Sequence, residues 1–274
     1  MPAYGLYEVW LSIFHIFRWG ARRHNRVMDT AYIFIALVFA LAGMVKGVTG
    51  MGLPTVAVAL LTLKMPPLEA AALLVVPSSV TNVWQLAAGP ALYPLWLRLR
   101  PMLLAVCFGT AVAALLAGAP DAARWSGAVL GIALLAYGLL GLTGWRWHVP
   151  PRAERWAGPL AGACTGLMAG VTGVFVMPAA PYLQALSLDK DDLVQAMGLA
   201  FTVSTLALAA MLAGQGAWQA SAAGASLLAL LPAGGGMLLG QWLRGRMPPL
   251  LFRRCFFAGL LALGAHQCLR TFIN

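Results

Sequence analysis

Long apolar runs recur along almost the whole chain, and they constrain the fold more than any other feature. After Asp29 they alternate with short polar loops. Several are about 20 residues long, which is the length of helix that crosses the hydrocarbon core of a bilayer. A span in lipid has to satisfy its own backbone hydrogen bonds, which favours helices. The short alternating segments typical of a membrane β-barrel are missing from the sequence. The sequence therefore predicts an all-α integral membrane protein.

Composition supports the same class. Of the 274 residues, 61% are hydrophobic and only 9% are charged, whereas soluble domains carry about a quarter charged residues. The net charge of +10 comes mainly from arginines in short loops, where they act as topology signals and contact lipid headgroups. No basic stretch is interleaved with groups that read bases, so the expected partner is the lipid bilayer and no nucleic acid. Part of the positive charge would also favour an anionic substrate.

Motifs for catalysis or metal binding are missing from the sequence. The four cysteines have no CxxC spacing and predict neither a metal site nor a disulfide framework. There is no HExxH, GxSxG or Walker motif. We therefore expect no enzyme activity, no cofactor and no metal, and any transport would have to use a gradient or a separate energising partner.

The first 28 residues form a unit of their own in the sequence. Polar residues recur every three or four positions, which places them on one face of a helix: Glu8, Ser12, His15, Arg18 and Arg22. Its positive charges, Arg18, Arg22, Arg23 and Arg26, follow its apolar stretch, which is the reverse of a signal peptide. We expect residues 1–28 to form an amphipathic helix at the membrane interface or against a partner.

The rest of the chain is an internal duplication. The tetrapeptide Gly-Val-Thr-Gly occurs at 47–50 and again at 170–173, each time inside a long apolar segment. Further residues match at a nearly constant offset, as Pro54 does with Pro178. We predict a first transmembrane repeat over 29–145, a polar linker over 146–157 and a second repeat over 158–274. Each repeat would contain one interrupted helix and three transmembrane helices.

The interrupted segments decide the symmetry of the repeats. As one helix, the segment near 30–63 would be about 51 Å long, which exceeds a hydrocarbon core of roughly 30 Å. It is therefore either a strongly tilted broken helix, which gives parallel repeats, or a hairpin, which gives inverted repeats. The positive-inside rule does not distinguish the two. Matching Gly-Pro interruptions are typical of inverted-repeat transporters, so we expect inverted repeats.

Lys46, directly before the first break, is the one charge that the sequence places inside the membrane. A lysine near the bilayer centre costs about 2.5–3.5 kcal/mol on insertion scales and normally faces a cavity or a partner. All Asp and Glu residues fall in loops or at segment ends, which leaves a role for a bound anion. The alternative is that Lys46 reaches the interface or donates to backbone carbonyls.

Other residues near the breaks complete a candidate substrate site near the membrane midplane. Glycines expose backbone N–H groups and helix N-termini attract anions, while threonine hydroxyls and buried amides supply further polar groups. Close helix packing and interhelical hydrogen bonding are the alternative roles, and we prefer packing for Gly43, Gly162 and Gly166. The predicted substrate site consists of Lys46, Gly47, Thr49, Gly50, Asn82, Gln85, Gly170, Thr172, Gly173 and Gln184.

These motifs resemble the sulfite exporter TauE/SafE family of membrane permeases. The resemblance covers about 30–272 and rests on the two glycine-rich breaks followed by proline, together with the run Asn82-Val83-Trp84-Gln85. Met51 and Val174-Phe175 stand where the family more often has glycines. The resemblance implies movement of small anions, particularly sulfite or organosulfonates such as sulfoacetate, across the bacterial inner membrane. The alternatives are a transporter of a carboxylate or another anion, and a non-transporting scaffold. A second copy of the chain is a candidate partner.

Overall fold

The computed structural model describes residues 25–87, 89–117, 122–144, 148–216, 220–246 and 248–273. This part of the chain is organised as ten helices and contains no strand. The amphipathic helix predicted for 1–28 lies outside the described residues, apart from the last four positions, which begin the first helix. The prediction of an all-α protein is confirmed.

The helices follow the order of the predicted segments. The first half contains α1 (Asn25–Thr49), α2 (Leu53–Leu61), α3 (Pro67–Leu86), α4 (Leu92–Leu116) and α5 (Ala122–Thr143). The second half contains α6 (Pro151–Thr172), α7 (Ala179–Ala185), α8 (Lys190–Gly214), α9 (Ala220–Arg244) and α10 (Pro249–Ile273). Five stretches of the described helices are long and apolar enough to cross a membrane, namely Ala31–Thr49, Leu92–Leu116, Trp125–Thr143, Lys190–Gly214 and Gly224–Arg244.

Both interrupted segments fold back on themselves as hairpins. After α2, the ammonium of Lys64 lies 4.4 Å from the ring centroid of Phe34, near the start of α1. After α7, the N–H of Val149, which precedes α6, donates to the carbonyl of Ala185 over 3.0 Å. In each case the short second helix returns toward the level at which the long first helix began. The hairpin, rather than a single broken helix, is the arrangement of these segments.

The long helix of each hairpin packs against a helix of the other half. Glycines make these crossings so close that a Cβ at Gly43 would lie 2.1 Å from the carbonyl oxygen of Ala233, joining α1 to α9. The matching crossing joins α6 to α4, where a Cβ at Gly162 would lie 2.2 Å from the carbonyl oxygen of Met102. A Cβ at Gly166 would meet the carbonyl oxygen of Val106 at 2.1 Å. Gly43, Gly162 and Gly166 therefore have the packing role that we preferred for them.

Helices at matching positions of the two halves run antiparallel. The Gln195 amide at the start of α8 donates to the carbonyl of Leu86 at the end of α3 over 2.9 Å. Along α5 and α10, a Cβ at Gly131 would lie 2.6 Å from Cys268 Sγ, and one at Gly141 would lie 2.1 Å from the Phe257 ring. Residues later in α5 therefore contact residues earlier in α10, so the two helices are antiparallel.

The core lies around the hairpin tips. The largest fully buried side chains come from α1 to α5, from α7 and α8 and from the second break, among them Phe39, Leu53, Leu99, Leu130, Phe175 and Phe201. Large apolar side chains on the outer helices are instead exposed. This distribution suits a bundle whose outer surface faces lipid rather than water.

Candidate functional site

The first Gly-Val-Thr-Gly break is a helix end with a fixed hydrogen-bond pattern. The Thr49 hydroxyl lies 2.9 Å from the carbonyl oxygen of Val45 and 2.6 Å from that of Met51, either of which accepts its proton, and it accepts from the N–H of Met51 over 3.2 Å. Gly50 then adopts φ +76°, a left-handed conformation that glycine reaches without strain and that commonly ends helices. The tetrapeptide therefore stops α1 and turns the chain toward α2.

The second break repeats this geometry. The Thr172 hydroxyl donates to the carbonyl of Met168 over 2.7 Å and accepts from the N–H of Val174 over 3.1 Å. Gly173 adopts φ +77°, within a degree of its counterpart in the first half. The duplicated sequence thus produces a duplicated turn, and in both copies the threonine O–H is used within its own helix end.

Lys46 begins a chain of buried hydrogen bonds next to the first break. It is 3% exposed in the last turn of α1, and its ammonium donates to the Asn82 side-chain carbonyl on α3. The Asn82 amide donates in turn to the Thr205 hydroxyl on α8 over 3.1 Å, and Thr205 donates to the carbonyl of Phe201 over 2.7 Å. Three helices therefore meet around one charge.

The environment of Lys46 differs from both forms of the alternative interpretation. Its ammonium is buried rather than at an interface, and its acceptor is a side-chain amide rather than a backbone carbonyl. An ammonium has three donors, and two of them have no partner in the part of the chain that the structure describes. No carboxylate in that part lies within 4.0 Å of it. A bound anion would fit this unbalanced charge.

One face of α3 carries further buried polar groups. Ser78, Asn82 and Gln85 are spaced by four and three residues, so they share a helix face. The Gln85 amide donates to the carbonyls of Gly50 and Val194 over 2.8 and 3.1 Å. Its Oε1 and the Ser78 hydroxyl oxygen are buried without a hydrogen-bond partner among the described residues. Such unpaired polar atoms are rare in native structures and often mark a place for water or ligand.

A cavity of about 770 Å³, here called the vestibule, borders the first hairpin tip. Thr49, Met51 and Gln184 line it, together with residues of α5 and α10. Met51 is held there by two side chains, since the Tyr137 hydroxyl lies 3.1 Å and the Gln184 amide 3.7 Å from its Sδ. The vestibule therefore reaches the turn that immediately follows Lys46 along the chain.

The structure brings together only part of the predicted site. Lys46, Asn82, Gln85 and the carbonyl of Gly50 form one group, and Thr49 and Gln184 line the vestibule. The remaining glycines lie against neighbouring helices, where an added Cβ would come within 2.2 to 2.5 Å of another atom: Gly47 against Met237, Gly170 against Ala113 and Gly173 against Ala71. Thr172 is fully buried in its own turn. No hydrogen bond within the described segments joins the second break to Lys46.

Sequence reasoning missed the residues that α5 and α10 contribute to the vestibule. These are chiefly Tyr137 and Arg253. A charge at the start of a membrane helix is ordinarily a topology signal, so Arg253 gave no reason to separate it from the other arginines. Thr205, which accepts from Asn82, is one of several polar residues on α8, and the sequence alone does not assign it a partner. Their positions near the site become evident only when the packing of the helices against one another is known.

The family model described as Sulfite exporter TauE/SafE matches residues 35–266. The chain belongs to the sulfite exporter TauE/SafE family. No curated protein and no solved structure matches the chain. The matched range contains both breaks, the second hairpin, the polar face of α3 and the vestibule, which confirms the resemblance predicted from the breaks.

Membership in the TauE/SafE family defines the general activity. This is a family of membrane transporters for sulfite-type anions. The apolar helices agree with a multi-pass protein of the inner membrane, in contact with the lipid bilayer and with a small anionic substrate. The expectation of a transporter rather than an enzyme is consistent with this membership.

Proposed function

We propose that the protein is a secondary transporter that moves sulfite or organosulfonates past a binding site built on Lys46 and the polar face of α3. The observation that carries this proposal is the buried Lys46 ammonium, whose one acceptor among the described residues is the neutral Asn82 amide. A buried charge without an opposite charge is costly. A bound anion would supply the missing charge.

The donors around this site suit an oxyanion. Sulfite and sulfonates present three oxygen acceptors on one sulfur atom. The two N–H groups of Lys46 that have no partner, together with the unpaired Ser78 hydroxyl, would donate to them. Gln85 would hold the hairpin tip in place through the carbonyl of Gly50. Thr49 and Gln184 would line the route to the site from the vestibule.

We further propose that the two halves are inverted repeats. Two observations support this: both interrupted segments are hairpins, and the equivalent pairs α3–α8 and α5–α10 run antiparallel. A twofold axis that relates antiparallel partners lies perpendicular to them, which places it in the membrane plane. Alternating access would then move one hairpin with its neighbouring helices relative to the other. The second break, with Thr172, Gly173 and Gly170, would be the counterpart that closes the opposite side.

A homodimer is a separate proposal for the assembled state. Light scattering of the purified protein in detergent would decide it, because a dimer has twice the mass of the 28.9 kDa chain. A mass of one chain would remove the proposal without affecting the site.

Uptake of labelled sulfite by proteoliposomes tests the transport proposal. Wild-type protein should take up sulfite faster than empty liposomes, and Lys46→Gln should reduce uptake to the empty-liposome rate. Lys64→Gln is the matched control, because Lys64 is an exposed lysine at the end of the same hairpin. Wild-type uptake by the Lys46→Gln protein would remove Lys46 from the site.

Competition in the same assay addresses the substrate class. Unlabelled sulfoacetate, sulfate, acetate and chloride should separate sulfur oxyanions from carboxylates and from simple halides. Competition by acetate at the same concentration as sulfite would assign the site to carboxylates instead.

A further inference from the structure

Arg253 is held at the wall of the vestibule by the backbone of α5. It lies in the second turn of α10, and its Nε donates to the carbonyl of Gly141 over 2.9 Å. This bond fixes the plane of the guanidinium. The two terminal nitrogens have no hydrogen-bond or ion-pair partner among the described residues. The side chain therefore presents an oriented pair of free donors at the vestibule wall.

Two glycines leave the space that this side chain occupies. A Cβ at Gly144 would lie 2.5 Å from a terminal nitrogen of Arg253, and Gly144 has φ +69°. A Cβ at Gly141 would lie 2.1 Å from the ring of Phe257. Any larger residue at these positions would displace the guanidinium or the ring beside it. The position of Arg253 is thus built into both helices.

The rest of the vestibule lining carries polar groups and no carboxylate among the described residues. His148 lines it with a ring nitrogen 3.0 Å from the Ser187 hydroxyl, and Gln184 lines it from α7. The one ion pair in the described part of the chain lies elsewhere, between Arg98 and Glu154. An arginine that lacks a carboxylate partner inside a cavity of this size favours a ligand with negatively charged oxygens.

We propose that Arg253 forms a second anion site, in the vestibule, that binds a small soluble oxyanion before the anion reaches Lys46. The two terminal nitrogens of a guanidinium match two oxygens of one sulfur or phosphorus centre. Because Thr49 and Met51 of the first hairpin tip line the same vestibule, an anion held by Arg253 is already at the turn that follows Lys46. This inference rests on the proposed function for the direction of the path, but not for the binding itself.

Binding in a Lys46→Gln background isolates the vestibule site. The protein is purified in a neutral detergent, and sodium sulfite is titrated into it by calorimetry. Lys46→Gln should bind one sulfite, and Lys46→Gln/Arg253→Gln should bind it at least about tenfold more weakly, as expected when charge-assisted hydrogen bonds are lost. Lys46→Gln/Arg254→Gln is the matched control, since Arg254 is the adjacent exposed arginine, and it should bind like Lys46→Gln.

Arg253→Lys keeps the positive charge and provides a second variant in case Arg253→Gln does not fold. It removes the bond to the Gly141 carbonyl and the paired donors, so its affinity should fall between those of arginine and glutamine. Each variant should elute as a single peak of the wild-type size in gel filtration. In proteoliposomes, Arg253→Gln alone should raise the KM for sulfite and leave kcat nearly unchanged, because it acts before the Lys46 step.

A lipid headgroup phosphate is the other source of such an oxyanion. Phosphatidylglycerol, added to the detergent in place of sulfite, tests it. The proposal is overturned if Lys46→Gln binds no sulfite, if the Arg253→Gln change leaves its affinity unaltered, or if Arg253-dependent binding occurs with phosphatidylglycerol alone. Failure of wild-type protein to transport sulfite would contradict the proposed function, and the binding result would still decide the vestibule site.

Discussion

Replacing Lys46 by methionine tests whether the lysine is present for the anion or for the fold. Methionine has a similar length and no charge, so it removes a buried ammonium without opening a large cavity. Replacing buried charges by apolar residues of similar volume is often neutral or stabilising by about 1–4 kcal/mol. The change also leaves the Asn82 side-chain carbonyl without its donor, which costs about 1–3 kcal/mol. The two effects oppose each other, so the free energy of unfolding of Lys46→Met should lie within about 3 kcal/mol of the wild-type value.

A second substitution separates the two contributions. Asn82→Leu removes the orphaned carbonyl, and it also removes the bond to Thr205, which is worth about 1 kcal/mol. Thr205 still donates to the carbonyl of Phe201 and is not left without a partner. The double variant Lys46→Met/Asn82→Leu should therefore be more stable than Lys46→Met by roughly 0–2 kcal/mol.

Equilibrium unfolding in mixed detergent and SDS micelles measures these differences. The first series is run without sulfur oxyanions, and the second with sulfite at about a hundred times its dissociation constant. With Arg253→Gln introduced into every protein, so that the vestibule site does not contribute, sulfite should stabilise the chain that keeps Lys46 and Asn82 by about 2.7 kcal/mol. It should have no effect on either variant, while Lys64→Met should respond as the chain with Lys46 does. The reasoning is refuted if the double variant is less stable than wild type by more than about 2 kcal/mol and still responds to sulfite. The lysine would then belong to the fold.

Two further predictions concern the architecture. Gly43→Ala places a Cβ 2.1 Å from the carbonyl oxygen of Ala233 and should destabilise the α1–α9 crossing by about 1–3 kcal/mol. In the same unfolding assay Gly235→Ala, which meets nothing within 4 Å, should be neutral or stabilising by up to about 1 kcal/mol; equal effects would contradict the close crossing. Single cysteines at the exposed Ala87 and Gln215, in a background without other cysteines, should react with an impermeant maleimide from opposite sides of the membrane. Labelling of both from one side would exclude inverted repeats.

Features that depend on local sequence and burial could be predicted without the structure. The apolar runs predicted the number and order of the long helices, and the two Gly-Val-Thr-Gly copies predicted the positions of the breaks. The isolated charge at Lys46 and the amides of α3 identified the buried polar group, because each is costly in lipid unless it has a partner. Glycines on one helix face predicted the packing role of Gly43, which the structure shows.

Features that depend on which helices meet could not be predicted in this way. The sequence predicted that the threonines of the breaks offer hydroxyl groups to a substrate, and the structure adds that each hydroxyl also has an acceptor within its own break. The tetrapeptide predicts the break, but the acceptor of each threonine hydroxyl is identified only in the folded turn. The vestibule wall joins the end of α5 to the start of α10, so Arg253 and Gly141 meet only through tertiary structure.

The long helix of each hairpin packs against a helix of the other half, and this has a consequence for biosynthesis. The glycine face of α1 is covered by α9, a helix that leaves the ribosome long after α1 has been inserted, and the face of α4 is covered by α6. An isolated first half would therefore expose the backbone of its own hairpin to lipid. The glycine face of the first hairpin is therefore covered only once the penultimate helix of the chain has been made.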